Sequence, residues 1–147
     1  MPAISIFVGS VYGGATFVAE QVAEMLEGQG FKVQLCDPPS MDAFKAAEAI
    51  LIISSTTGQG DIPPDFEEFY YQLQSEFPLL NGKPFGVIGL GDSSYGETYC
   101  GAGRKLFALL EELQGQAVMP LLKIDACETL EPENEALPWA KEWAAKL

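Results

Sequence analysis

A chain of 147 residues in which 48% of side chains are apolar has the length of one domain and can bury a sizeable core without metals or disulfides. Its formal net charge of −13, from 21 acidic against 8 basic side chains, argues against nucleic acid and anionic membrane as partners. That charge favours a basic protein partner drawn in by electrostatic steering, with simple solvation of the fold as the other reading. There is no histidine, and the three cysteines, Cys36, Cys100 and Cys127, form no Cys-x-x-Cys, which disfavours a zinc site and histidine-based catalysis. The thiols are expected to be reduced and structural.

No apolar run reaches the length that spans a bilayer, and Met1-Pro2-Ala3-Ile4 has neither the basic flank nor the long apolar stretch of a signal peptide. The expectation is a cytoplasmic protein. Along the chain, short β-rich runs alternate with segments of helical period. Residues 4–8 read as a buried strand, followed by Val18, Val22, Met25 and Leu26 at helical spacing until Gly28-Gln29-Gly30 closes the helix. Residues 31–35 form the next strand and 41–47 a short helix, and the apolar run 49–53 fits a strand covered on both faces. Residues 61–64 lead into a helix carrying Phe66, Phe69, Tyr70 and Leu73. Strand 85–90 precedes a helix with Leu106, Leu109, Leu110 and Leu113, and strand 118–124 precedes one with Trp139, Trp143 and Leu147.

Five strand–helix repeats over residues 1–147 predict a single α/β domain. The expected form is a flavodoxin-like order of strands in a three-layer sandwich, a five-stranded parallel sheet of order 2-1-3-4-5 with helices on both faces and right-handed crossovers. Nothing in the sequence splits the last strand with a long insertion. Ligands on such sheets bind beyond the carboxyl ends of the strands.

Three loops meet at that rim. Loop one, Gly9-Ser10-Val11-Tyr12-Gly13-Gly14-Ala15-Thr16, runs from strand into helix, where unpaired N–H groups and the helix dipole suit an anion. It contains no lysine or arginine and matches neither a P-loop nor a Rossmann fingerprint. A neutral nest of amides with Ser10 would therefore hold a compact phosphate; a ligand-free turn is the plainer alternative. Loop two, residues 54–64, is dense in hydroxyls and glycines and closed by prolines, and loop three contains Gly89-Leu90-Gly91-Asp92-Ser93-Ser94-Tyr95 with Tyr99 and Cys100 beyond it.

Residues 55–63, Ser-Thr-Thr-Gly-Gln-Gly-Asp-Ile-Pro, and 89–95, Gly-Leu-Gly-Asp-Ser-Ser-Tyr, resemble the second and third FMN-binding loops of flavodoxins. They are similar too to the FMN domains of cytochrome P450 reductase and sulfite reductase flavoprotein. The likeness runs over the whole chain, including 122–126 and Pro138-Trp139, and within the superfamily it resembles the stand-alone short-chain flavodoxins of the YqcA/MioC group. The resemblance implies an FMN-binding, low-potential electron carrier between redox proteins, with no catalytic side chain and no metal. Its partners would be basic redox proteins such as a flavodoxin reductase and an acceptor enzyme, and the protein itself a monomer.

It further implies that Ser10, Val11, Tyr12, Gly13, Gly14 and Ala15 hold the phosphate and that Tyr95 stacks on the isoalloxazine. Backbone groups of Ser55, Thr56, Thr57, Gly58, Leu90, Gly91 and Asp92, with Tyr99 and Cys100, contact the ring edges and ribityl chain. The Thr57–Gly58 peptide would turn its carbonyl toward flavin N5. Asp61, Asp65, Glu67, Glu68, Asp92 and Glu97 would disfavour the reduced flavin anion and mark the docking face. Three departures stand out: Tyr12, Gly14 and Ala15 replace the family's usual phosphate-loop residues, Thr57 replaces a tyrosine of the reductases, and the spacing from Tyr95 to Cys100 is one residue longer.

Plainer readings accompany several residues: Trp139 and Trp143 as core, Cys100 as a small buried helix start, and Asp125 as a turn cap. A flavodoxin-like NAD(P)H:quinone reductase or nitroreductase is the competing function; it needs a second substrate pocket, for which the chain offers no obvious spare segment. A response-regulator domain would need an acceptor aspartate where Ser54 and Ser55 stand.

Overall fold

The first and third strands are buried at every residue, so both faces of the sheet must be covered. In the computed structural model, which describes residues 1–11, 13–57, 60–92, 96 and 99–147, helices supply that cover. In chain order the elements are β1 (Ile4–Gly9), α1 (Gly14–Gly28), β2 (Val33–Cys36), α2 (Met41–Ala46), β3 (Ala49–Ser54), α3 (Pro64–Glu76), β4 (Pro84–Gly91), α4 (Gly101–Glu112), β5 (Gln116–Ala117), β6 (Leu122–Asp125) and α5 (Glu133–Ala145). The sheet is parallel throughout, in the order β2-β1-β3-β4-β5, with β6 also on β4. The expected α/β fold and strand order are therefore observed.

Because side chains alternate across a strand, β1 sends Ile4, Ile6 and Val8 to one face and Phe7 to the other. The first face packs on α1 and α5, and the second on α2, α3 and α4. On the second face Phe7 stacks on Phe69 at 5.7 Å between ring centroids and meets Phe44 edge-on at 5.6 Å.

Two boundaries differ from the sequence reading. The second strand starts at Val33 rather than residue 31, because Phe31 N–H still donates to Leu26 O and Gly30 turns the chain at φ 94°. The last strand, expected as one run over 118–124, is two pieces, so the sheet has six strands and not five. Ala117 pairs with Phe85 and Leu122 with Ile88, a slip of two residues between the pieces. Pro120 lies in the gap, where its missing N–H is tolerated outside the ladder.

Trp139 and Trp143 are core, as the helical spacing implied. Their rings stack with centroids 6.4 Å apart, and the Trp143 indole N–H donates to Phe85 O at 3.1 Å. The tryptophan needs Gly86 beneath it, since a Cβ there would lie 2.6 Å from Trp143 Nε1. No helix among the described residues is long and apolar enough to cross a membrane. Truncating the fully buried Trp143 to alanine should lower unfolding free energy by about 3–5 kcal/mol, and Gly86→Ala by about 1–3 kcal/mol through overpacking. Denaturant midpoints within experimental error of the parent for both variants would contradict this packing.

Candidate functional site

The three loops are joined before any ligand is considered. Gly9 ends β1 against α3, where a Cβ would lie 2.9 Å from Phe66 Cβ. Gly9 O accepts from Ser55 N–H at 2.8 Å, which ties the base of loop one to loop two. Ser10 N–H donates to both carboxylate oxygens of Asp65, at 3.1 and 3.2 Å, and Ser10 Oγ accepts from Thr16 N–H at 3.4 Å.

Gly13, at φ 80°, is the N-cap of α1 and provides the left-handed turn that feeds the helix. Gly13 itself brings no capping side chain, no acid lies in the first turn, space is open around Gly13 and Gly14, and Thr16 N–H, the third amide of the helix, is taken by Ser10 Oγ. The α1 terminus thus offers the leading Gly14 and Ala15 amides, which have no intrahelical acceptor, and the positive end of a helix dipole, a combination suited to a phosphate. Val11 is half-buried and Ala15 fully buried; Tyr12 lies outside the described residues.

Loop two is a tight hairpin. Thr57 N–H donates to Asp61 O at 3.0 Å and Asp61 N–H to Thr57 O at 2.8 Å, with Gly60 at φ 87° between them. Ser54 and Ser55 are buried, and Ser54 Oγ donates to Ser55 O at 2.9 Å. Thr56 Oγ1 is buried without a partner among the described residues. Buried hydroxyls are normally satisfied, so this one marks a place for a polar ligand atom. Gly58 and Gln59 lie outside the described residues.

Loop three leaves β4 through half-buried Leu90, Gly91 and Asp92; Ser93, Ser94, Tyr95, Glu97 and Thr98 lie outside the described residues. The chain re-enters at Tyr99, whose N–H donates to Gly96 O at 3.0 Å. Cys100 is buried at φ 51° as the N-cap of α4, with its thiol 3.5 Å from Gly89 O, which matches the reading of a small buried helix start. A Cβ on Gly91 would lie 2.8 Å from Cys100 N, and one on Gly101 2.5 Å from Gly60 Cα. Loop two and the start of α4 therefore touch backbone to backbone.

Burial, then the neighbouring Cys100, Asp125 and Glu128, push the Tyr99 phenol well above its ordinary value, so it stays protonated. Lys123 Nζ sits 6.0 Å from the Tyr99 ring centroid, at the outer limit of a cation–π contact. Asp125 accepts from Cys127 N–H at 2.9 Å and so is the turn cap expected from sequence. The Cys127 thiol donates to Asp92 Oδ1 at 2.9 Å, which ties loop three to the β6–α5 turn.

The acids expected to ring the site divide. Glu67 and Glu68 are exposed on α3, but Asp61 lies 3.8 Å from Lys105 Nζ and Asp65 is bonded to loop one. Sequence reasoning missed the contacts of Asp65 and Cys127. The only local signal for Asp65 is its place in the first turn of a helix; Cys127 carried none, and it is exposed rather than buried.

A helix start with free leading amides, a buried hydroxyl without a partner among the described residues and a loop clamped against α4 suit a phosphorylated, hydrogen-bonding, planar cofactor such as FMN. The chain belongs to the flavodoxin family, whose model it matches over residues 6–139. It is an FMN-binding electron carrier. It is 37% identical to Flavodoxin YqcA of Escherichia coli over 100% of this chain and 99% of that protein. It is 39% identical to Protein MioC of Escherichia coli, again over 100% and 99%. The solved structure of a cysteine-to-serine mutant of flavodoxin from Pseudomonas aeruginosa superposes with a TM-score of 0.93 at 42% identity, covering 99% of this chain and 98% of that one. The resemblance read from loops two and three thus extends over nearly the full length.

Burial raises the Cys36 and Cys100 thiols above their ordinary value, so both are shielded and protonated near neutral pH. A disulfide-exchange reagent at pH 7 should label Cys127 within the mixing phase and Cys36 and Cys100 only on unfolding. Early label mapped to Cys100 would show that α4 does not seal over β4 as described.

Proposed function

We propose that loop one holds the FMN phosphate and that loops two and three hold the isoalloxazine and ribityl chain. The observation that carries this reading is the Thr56 hydroxyl, buried at the end of β3 without a partner among the described residues. Ser10, Val11, Tyr12, Gly13, Gly14 and Ala15 bind the phosphate; Ser55, Thr56, Thr57, Gly58, Leu90, Gly91 and Asp92 line the ring and ribityl. Tyr95 is the stacking platform. Tyr99 and Cys100, at the entry to α4, complete the cofactor-binding set.

Bound FMN supplies one- and two-electron exchange, and this chain binds it, orients it and keeps water from the inner ring edge. No side chain of the site needs to act as acid or base. The YqcA and MioC relatives give the quinone-reductase reading no support. We infer a monomer in the cytoplasm that exchanges electrons with basic protein partners, a reading supported by the −13 charge and by exposed Glu67 and Glu68 beside loop two. Purified protein should be yellow and release FMN, identified by mass, on denaturation; a colourless preparation that refuses added FMN would overturn the reading.

The two ends of the site are separable by titration. FMN should bind much more tightly than riboflavin, because only FMN brings a phosphate to the α1 amides. Tyr95→Ala should weaken both flavins by about 1–3 kcal/mol, the scale of a ring stacked on an aromatic platform. Loss confined to FMN would place Tyr95 at the phosphate end instead.

Partner docking has its own readout. Electron transfer from a basic reductase should slow markedly as salt rises toward 0.1 M, where the Debye length falls to about 10 Å. Replacing Glu67, Glu68 and Glu97 by glutamine should reproduce part of that loss. Stopped-flow rates indifferent to both changes would leave the acidic surface as a solubility feature.

A further inference from the structure

Loop one presents a neutral nest, yet one acid is built into its base. Ser10 N–H, the first amide after β1, donates to both oxygens of Asp65, which projects from the first turn of α3 across 55 positions of sequence. The contact is fixed from below, because Gly9 is pressed on Phe66, the residue after Asp65. It is also fixed from the side, because Ser10 Oγ accepts from Thr16 N–H in the first turn of α1. Asp65 therefore touches the one residue that links β1, α3 and the phosphate-binding helix.

Among the described residues, no lysine or arginine compensates this carboxylate. The groove on its far side is lined by Ser40, Asp42, Glu68 and Gln72 among others, with no basic side chain. Partial burial raises the Asp65 carboxyl above its ordinary value; the Ser10 N–H lowers it, the Asp37 carboxylate raises it again, and Asp65's own backbone N–H lowers it. The charge thus sits in a place that does not favour it, held there by the Ser10 N–H and its own backbone N–H. A phosphate on the adjoining amides meets this fixed negative charge.

Resting on the phosphate-seat reading above, we propose that Asp65 is a positioning and affinity-setting residue for FMN. Its carboxylate anchors Ser10 so that the nest keeps its shape, and its charge opposes the phosphate, limiting how tightly the cofactor is held. Two effects of opposite sign arise from one side chain. The hydrogen bond favours FMN by preorganising the loop, and the charge disfavours FMN without touching riboflavin.

Substitutions separate the two. Asp65→Asn keeps an acceptor for Ser10 N–H and removes the charge, whereas Asp65→Ala removes both. In flavin-fluorescence titrations of the full chain at low ionic strength, Asp65→Asn should bind FMN about three- to tenfold more tightly than the parent, the scale of one screened charge several ångströms from a phosphate. That gain should shrink by more than half at about 0.5 M salt, where the Debye length is only a few ångströms. Riboflavin affinity should change less than twofold. Asp65→Ala should gain less than Asp65→Asn, because its loop has lost the anchor.

Asp65→Asn with unchanged FMN affinity at low salt, or with equal changes for FMN and riboflavin, would overturn the proposal. Asp65→Ala binding FMN as tightly as Asp65→Asn would remove the anchoring role. If the parent protein itself binds FMN and riboflavin equally, loop one is not the phosphate seat and the reading beneath the proposal fails. A parent that prefers FMN while Asp65→Asn leaves that preference unaltered overturns the Asp65 inference alone.

Discussion

Helix α4 and its N-cap lie on strand β4 with little room for a side chain between them at two successive points. A Cβ on Gly103 would lie 3.1 Å from Gly89 Cα, and one on Gly91 2.8 Å from Cys100 N. One step further, Gly101 rests on the backbone of Gly60 in loop two. This run of glycine contacts sets the height of α4 above the sheet, and the rim follows from it. The chain must reverse sharply after β4 to enter so close a helix, which Cys100 achieves at φ 51°. The loop-two hairpin is trapped between α4 and the end of β1. Sites built on such fixed supports hold their geometry to within fractions of an ångström, which a stacked planar cofactor requires.

The electrostatics of the rim complement that geometry. On the proposed reading, an acidic protein that holds a phosphate without lysine or arginine in its loop relies on backbone dipoles, which the start of α1 offers. Dipoles of this kind act over a short range, whereas the surplus acids act over a Debye length. A local site for an anion and a surface attractive to cations therefore coexist in one small molecule. Asp65 is where the two fields meet.

Much of this was legible in the sequence because the relevant signals are local. The apolar runs of β1 and β3 and the glycine- and hydroxyl-rich ends of β1, β3 and β4 placed three loops at one rim, and the structure keeps them there. Trp139 and Trp143 read as core from their spacing alone. What failed was either long-range or a neglected exception. The Asp65 contact joins residues 55 apart, and no periodicity encodes it. Gly101 and Gly103 are visibly small, but their partners Gly60 and Gly89 are set by tertiary packing. The broken last strand was written in Pro120, within an apolar run that otherwise reads as continuous.

That break bears on how the molecule avoids its own kind. A parallel sheet left open at its sides exposes rows of unpaired N–H and C=O groups, ready to template another chain. Here one side ends in β2, only 4 residues long. The other ends in pieces of 2 and 4 residues whose registers differ by two, so a straight incoming strand cannot pair with both. The interruption around Pro120 guards the sheet against edge-to-edge aggregation, and it does so on the side away from β1, where it leaves loop one undisturbed.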